Sequence, residues 1–417
     1  MNRTLLHERF EAAEPGPGEV LVATEFDHPD RGPVRCSAAP VVAGWLRHRG
    51  LRVRSGPVRA MSPNLPDALP SEGAVLFVAS YLDRGGRAVG IGAAAVLDSP
   101  GPAAAAFHAV RTFGSVMRTR RVVMAATDPT CSGEGAALAQ ARAALSGPGP
   151  VYVYGQLTRN RHVSNDLRQQ GAIFAGSLDE IPDGSVVVFP AHGVPLSIRA
   201  EAAARGMRVI DATCPLVIAT HETARSFADR GDTIVVIGRP GHAALAGISG
   251  QAPEVTRVVS TAAETAALEV EAPDRLSYLV QTGIAVEDAG PVAAALRSRF
   301  PTLRGPNPDQ FCYAASDRRG AIRQIAQVSD VLIVAGAADC ADSHQAIETA
   351  AAAGARAHLV ETAGDVRAEW LGSASTVGLT AGLGAAPNLT GDVLRVLSGL
   401  GPLSVARTTV HTDVVTA

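Results

Sequence analysis

The sequence predicts an α/β protein built on parallel sheets. Two patterns carry this: short apolar runs that read as buried strands recur along the chain, and Ala-rich stretches with helical spacing lie between many of them. Composition supplies the material. Of 417 residues, 47% are apolar and 18% charged, which is enough for several cores and too little charge for a disordered chain.

Residues 1–18 are polar, carry Pro and Gly, and read as a loose arm. Strand-like runs follow at 19–24 and 74–80, so 19–118 forms one α/β unit. Further runs stand at 121–126, 151–154, 185–190, 207–211, 233–238, 276–281, 331–335 and 375–380. Helical spacing marks 135–145, 197–205, 291–299 and 317–328. Turn-rich breaks fall at 147–150 and 305–308. No short-period repeat is present, which argues against a solenoid. In parallel sheets of this kind, ligands gather beyond the C-terminal strand ends, where loops converge.

Several function classes are excluded early. Net charge is −3, so no basic field recruits nucleic acid or anionic membrane, and aromatics at 4% offer no base-stacking platform. All 37 basic residues are Arg. Without Lys there is no P-loop lysine, no Schiff base and no lysine general base, so anions must be held by Arg, His, hydroxyls or backbone N–H groups. No apolar run reaches a membrane-spanning length of about 18 residues. The N-terminus MNRTLLHERFEAAEPG lacks an apolar signal core, so a cytoplasmic location is expected. Five widely spaced Cys do not make a disulfide framework and are better read for metal or redox chemistry.

Three of those Cys share one context. Cys131 follows a strand in ATDPTCSGEG, Cys214 follows one in DATCPLV, and Cys312 opens a helix in PDQFCYAASDRR. At a strand end or helix start a thiol meets unpaired N–H groups and the positive end of the helix dipole, which is expected to lower its pKa and suit it to metal ligation. Three thiolates at one point would favour zinc or an iron–sulfur cluster. No CxxC pair is present, so a cluster with one open iron is the better metal reading. Three separate buried core thiols fit the same spacing.

The stretches RNRHVSNDLRQQGAIF, IPDGSVVVFPAHGV, DATCPLV, IGRPGHAALAG, LVQTG, FCYAASDRR and VGLTAG resemble the LytB/IspH family, the 4-hydroxy-3-methylbut-2-enyl diphosphate reductases, from about 121 to 396. The resemblance implies three small α/β domains around a pseudo-threefold axis, at 119–214, 215–311 and 312–417, behind an added N-terminal α/β domain at 1–118. It implies a [4Fe-4S] cluster, or [3Fe-4S] as isolated, held by Cys131, Cys214 and Cys312. In the family the open iron meets an allylic hydroxyl, which two electrons and protons remove as water. With no G-x-G-x-x-G opening a helix after a strand, the electrons would come from a ferredoxin or flavodoxin. A homodimer is compatible with this reading. Residues 1–118 read as a packing or dimerisation domain.

By the same resemblance, His192, His242 and Thr282 match substrate-contacting positions. Other positions depart from the family pattern. The glutamate of GHPEVEG is Ala244 here, and the diphosphate-binding NSSN run is Asp339–Cys340–Ala341–Asp342, with Ser343 next to it. A phosphate-binding serine position is Gly384, a histidine position is Arg159, and CAGV has become CSGE. With all three cluster Cys kept, these changes suggest a pocket re-specified for another anionic or polyhydroxylated small molecule. Arg159 would take a carboxylate or single phosphate. Asp339 and Asp342 would suit a cationic or polyhydroxylated group. Glu134, Asp342 and His344 are the candidate replacement proton donors. Cys340 could serve as a fourth thiolate, and Cys36 reads as an ordinary buried thiol.

Overall fold

The computed structural model describes residues 5–12, 15–61, 73–83, 85–98, 100–125 and 131–410. Two compact units divide the chain: residues 1–126 with 322–408, and residues 127–321 with 409–417.

The first unit holds two sheets. One is mixed, in the order Leu6–Glu11, Ala74–Leu82, Ala88–Val96, Gly32–Arg35, Glu19–His28, Arg52–Val58, with helices Ala39–Arg47 and Pro100–Ser115. The other is parallel throughout, in the order Ala357–Val360, Val331–Ala335, Thr376–Ala381, Arg120–Ala125, Leu403–Thr408. The strand leading toward Cys131 thus pairs with the C-terminal third of the chain. Of the segment joining them, residues 126–130 lie outside the described residues.

One hydrophobic core runs through both sheets, from Val20–Ala23 and Val41–Val42 to Val393, Leu397 and Leu400. Its seam depends on close backbone approach. Glycine at 44 lets helix Ala39–Arg47 lie against the main-chain oxygen of Gly364, a space that any Cβ would fill. Arg120, 1% exposed, fastens the same unit. Its guanidinium donates to the main-chain oxygens of Val116 (2.5 Å), Leu400 (3.3 Å) and Leu371 (3.3 Å), at the ends of three helices. Those ends carry partial negative charge, which suits a buried cation. Burial still lowers its pKa to about 10. The N-terminal extension therefore shares a core with the C-terminal third.

The second unit holds two parallel sheets, Arg208–Asp211, Val186–Phe189, Val151–Tyr154, Ala172–Ala175 and Thr256–Val259, Thr233–Ile237, Leu276–Val280. Their apolar strands are covered by helices, as the alternating pattern requires. Every expected strand is present within a few residues. The polar loops after strand ends carry the residues discussed next. Among the described residues, no helix is long and apolar enough to cross a membrane.

Candidate functional site

All three cysteines belong to the second unit, and each sits at a helix start. Cys131 is the N-cap of helix Ser132–Leu145, and its sulfur accepts the Glu134 N–H at 3.5 Å. Cys214 is the N-cap of helix Pro215–Asp229, with Pro at the first helical position and its own N–H held by the Ala191 oxygen at 3.0 Å. Cys312 precedes helix Ala314–Gln327 and accepts N–H groups from Ala314 and Gly283.

The sulfurs of Cys131 and Cys214 gather around Gly133. A methyl added there would stand 2.7 Å from Cys214 Sγ and 3.9 Å from Cys131 Sγ. Cys312 interacts electrostatically with both of the others. The thiols of Cys131 and Cys312 are pushed up from their ordinary value, which corrects the lowering expected from their helix-start positions. Burial is the largest cause at each, and the neighbouring thiol and carboxylate add to it: Glu134 and Cys312 for Cys131, Cys214 and Asp317 for Cys312. The backbone N–H groups oppose the rise without overcoming it.

Three thiols at helix starts are soft donors of the kind an iron–sulfur cluster takes. Among the described residues no three His, Cys, Asp or Glu side chains can share one metal ion. A tetrahedral zinc with bonds of about 2.3 Å would need sulfurs only about 3.8 Å apart. A cluster spreads its thiolates around a larger body and relieves their mutual repulsion.

Around the thiols stand the other candidates from the same unit. The Glu134 carboxylate, on a residue 7% exposed, lies 3.9 Å from His192 Nε2. His192 meets His242 edge to face, with ring centroids 5.2 Å apart. His242 is the N-cap of helix Ala243–Ser249, and its Nδ1 accepts the Ala244 N–H at 3.1 Å. The proton of the neutral ring is therefore on Nε2. Burial, and then the Arg159 charge, lower His192 and bring His242 down to about 4, so both rings are neutral donors or acceptors at pH 7. Arg159 thus faces both histidines. Ala244 is fully buried, so no carboxylate stands at that position.

Thr282 follows strand Leu276–Val280. It is 7% exposed, and its hydroxyl is buried with no hydrogen-bond partner among the described residues. A cleft lined by Thr220, Gln281, Thr282, Gln310, Phe311 and Cys312 brings that threonine and the third cysteine to one surface. An orphaned hydroxyl at such a position is what a ligand would satisfy.

Asp342, Ser343 and Cys340 belong to the first unit. Cys340 caps helix Ala341–Ala352. Asp342 Oδ2 accepts the Leu383 N–H at 2.9 Å, which ties the helix start to the loop after strand Thr376–Ala381. Ser343 is fully buried, and its hydroxyl, between Gly336 and Gly382, has no hydrogen-bond partner among the described residues. A methyl at Gly384 would stand 3.1 Å from Cys340 Cβ and 3.3 Å from its sulfur, so Cys340 crowds the space a serine would need. His344 Nε2 contacts the Ala338 oxygen at 2.7 Å. Cys36 is buried, with its thiol strongly raised by burial.

Two contributors were not singled out from sequence. Gly133 could have been noticed as a glycine at the second position of a helix, where it is a poor former. His221, seven residues after Cys214 and so on nearly the same helix face, is 3% exposed.

Comparison with known proteins adds the family. The "LytB protein" family model matches residues 122–398. The chain is 42% identical over 299 residues to 4-hydroxy-3-methylbut-2-enyl diphosphate reductase 2 of Mycobacterium bovis, covering 70% of this chain and 91% of that protein. It is 40% identical over 253 residues to the reductase of the same name from Acidithiobacillus ferrooxidans, covering 60% of this chain and 80% of that protein. In fold it resembles the solved E-1-hydroxy-2-methyl-but-2-enyl-4-diphosphate reductase of Plasmodium falciparum, with a TM-score of 0.64, 24% identity, and coverage of 72% of this chain and 95% of that one.

Proposed function

The chain belongs to the LytB family, and on that premise we propose that it is an iron–sulfur reductase that removes an allylic hydroxyl from a small anionic substrate with two electrons and protons. The observation that carries this is the gathering of the Cys131 and Cys214 sulfurs about Gly133, with Cys312 coupled to both. Cys131, Cys214 and Cys312 would hold the cluster, which when bound supplies the electrons and an open iron for the hydroxyl.

The chain's own residues do the rest. Thr282 offers its unpartnered hydroxyl to the substrate oxygen. His242 presents Nε2–H, because Nδ1 is already an acceptor. Arg159 holds the anionic end, and its charge keeps both histidines neutral. Glu134 faces His192 Nε2, and this pair replaces the carboxylate missing at Ala244 as the source of protons. Electrons come from an external one-electron donor such as a ferredoxin or flavodoxin.

The substrate differs from the diphosphate of the named relatives. Asp339 and Asp342 put carboxylates where the family pattern has amides, and like charges repel. Crowding of Gly384 by Cys340 supports the same conclusion. A second reading, turnover of 4-hydroxy-3-methylbut-2-enyl diphosphate itself, is favoured by the 42% identity to an enzyme of that name. The test is reduction of that compound by anaerobically cluster-loaded protein with a reduced viologen. Little turnover, with reduction of another allylic alcohol from a screened set, supports the first reading. Turnover at an ordinary enzymatic rate, about 1 per second or above, replaces it with the second. A loaded protein that reduces no allylic alcohol leaves a cluster-bearing binding protein, as Ala244 would allow.

A further inference from the structure

His221 has no part in the function proposed above, yet both histidine loops rest on it. A methyl added at Gly193, the residue after His192, would meet His221 Cε1 at 2.5 Å, with Thr213 and Val217 beside it at 3.2 and 3.3 Å. A methyl added at Gly247, on the helix that His242 caps, would stand 3.1 Å from His221 Nε2 and 2.9 Å from the main-chain oxygen of His192. One imidazole edge therefore supports the turn that carries His192 and the helix that carries His242, and glycine is needed at both contact points. Gly193 also has φ 68°, a conformation that favours glycine.

The surroundings fix that edge in place. Gln251 donates to the main-chain oxygens of Val194 and Gly247, and Arg225 donates to Gln251. Arg199 and Arg225 face the His221 ring from one sign and Asp211 from the other. The ring nitrogen Nε2 is buried and has no hydrogen-bond partner among the described residues. An apolar ring would fill the same space without leaving such an orphan. That nitrogen and the His192 main-chain oxygen both border the Gly247 position, 3.1 and 2.9 Å from a methyl built there.

We propose that His221 is a positioning residue: its Cε1–Nε2 edge, seated between Gly193 and Gly247, sets the spacing of the His192–His242 pair. The proposal rests on the reading that these two histidines meet the substrate, but its geometry can be checked without substrate or turnover.

The experiment is histidine-selective NMR on the full chain with His192 and His242 assigned through H192N and H242N, comparing wild type with H221A, H221Q and G193A. H221A is expected to shift both ring signals and move both apparent pKa values up toward an ordinary imidazole, because the seat that buries them opens. H221Q, which keeps a nitrogen near Nε2, is expected to shift them less than half as far. G193A, pressing on the seat from the other side, moves both as well. His7, His28 and His358, in the other unit, stay in place. The proposal is overturned if folded H221A leaves both signals at their wild-type positions, or if all histidines move alike, as a general loss of packing would produce. Should H221A not fold, H221Q decides: a selective shift of the pair supports the proposal and none overturns it. Failure of the reductase reading would show instead as absent turnover by the wild type, with the selective H221A shifts still present.

Discussion

Replacing Gly133 with Ala tests how tightly the thiol site is built. The new methyl would lie 2.7 Å from Cys214 Sγ and 2.9 Å from its Cβ. Ordinary carbon contacts fall near 3.5–4.0 Å, so about 1 Å of overlap must be relieved. Helix propensity works the other way, since Ala in place of Gly favours a helix by about 1 kcal/mol. Overpacking of this kind costs about 1–3 kcal/mol. The two terms nearly cancel in the stability of the chain, and G133A is expected to melt within a few degrees of wild type. The strain falls on a cluster ligand, however. If it is expressed there in full, retention of the cluster weakens by about 5- to 150-fold. The assay is iron and acid-labile sulfide per chain after anaerobic reconstitution, with the rate of iron loss to a chelator. Wild-type iron content and a chelator half-life within twofold of wild type would refute the reasoning.

Three further outcomes follow from the same geometry. Thr282→Val removes a buried hydroxyl that has no partner among the described residues, so the chain should gain up to about 1 kcal/mol in stability while losing at least tenfold in substrate turnover; a loss of stability with unchanged activity would show that the hydroxyl serves the fold. Arg120→Met takes the guanidinium from three helix-end carbonyls, of which Leu400 and Leu371 keep the backbone N–H groups of Arg118 and Ala374, and recovers part of the cost of burying a charge, for a net loss of about 1–2 kcal/mol in urea unfolding; a neutral change would mean that the guanidinium does not fasten the helices. His221 and His242 titrate near 6.5 when unfolded and near 4 in the fold, so between those values the unfolded chain binds protons that the folded chain refuses. Their stabilising contribution is whole above about pH 6.5 and is lost as pH falls toward 4, by on the order of 3 kcal/mol for a fully shielded ring and less for half-buried His242; urea midpoints that stay level from pH 7 to pH 4.5 would contradict this.

Five parallel strands of the second unit were legible as short apolar runs bounded by turn residues, as in VVVF at 186–189 and TIVVI at 233–237, whereas Ala172–Ala175 and Thr256–Val259 were not. Strands with weak apolar patterning were not. Leu403–Thr408 and Ala357–Val360 alternate or are half-exposed, and Ala88–Val96, inside its sheet, is mostly Ala and Gly because neighbouring strands and Phe26 leave no room for larger side chains. Pairing of Arg120–Ala125 with the C-terminal strands joins segments more than 200 residues apart, which local pattern does not encode. In the site, Cys131, Cys214 and Cys312 were visible through their shared strand-to-helix context, and His192 and His242 through their motifs. Gly133 and His221 were hidden because their importance lies in contact distance. The sign of the thiol shift was missed for a related reason: helix starts were visible in sequence, and mutual burial of the sulfurs was not.

The most direct measurement is the electron paramagnetic resonance spectrum, with iron content, of anaerobically reconstituted and reduced protein, for wild type and for C131S, C214S, C312S, C36S and C340S. The expected result is an iron–sulfur signal in wild type, C36S and C340S, and its loss or conversion in each of the other three. A full signal in any one of those three, or no iron–sulfur signal in the reconstituted wild type, would contradict a cluster held by Cys131, Cys214 and Cys312.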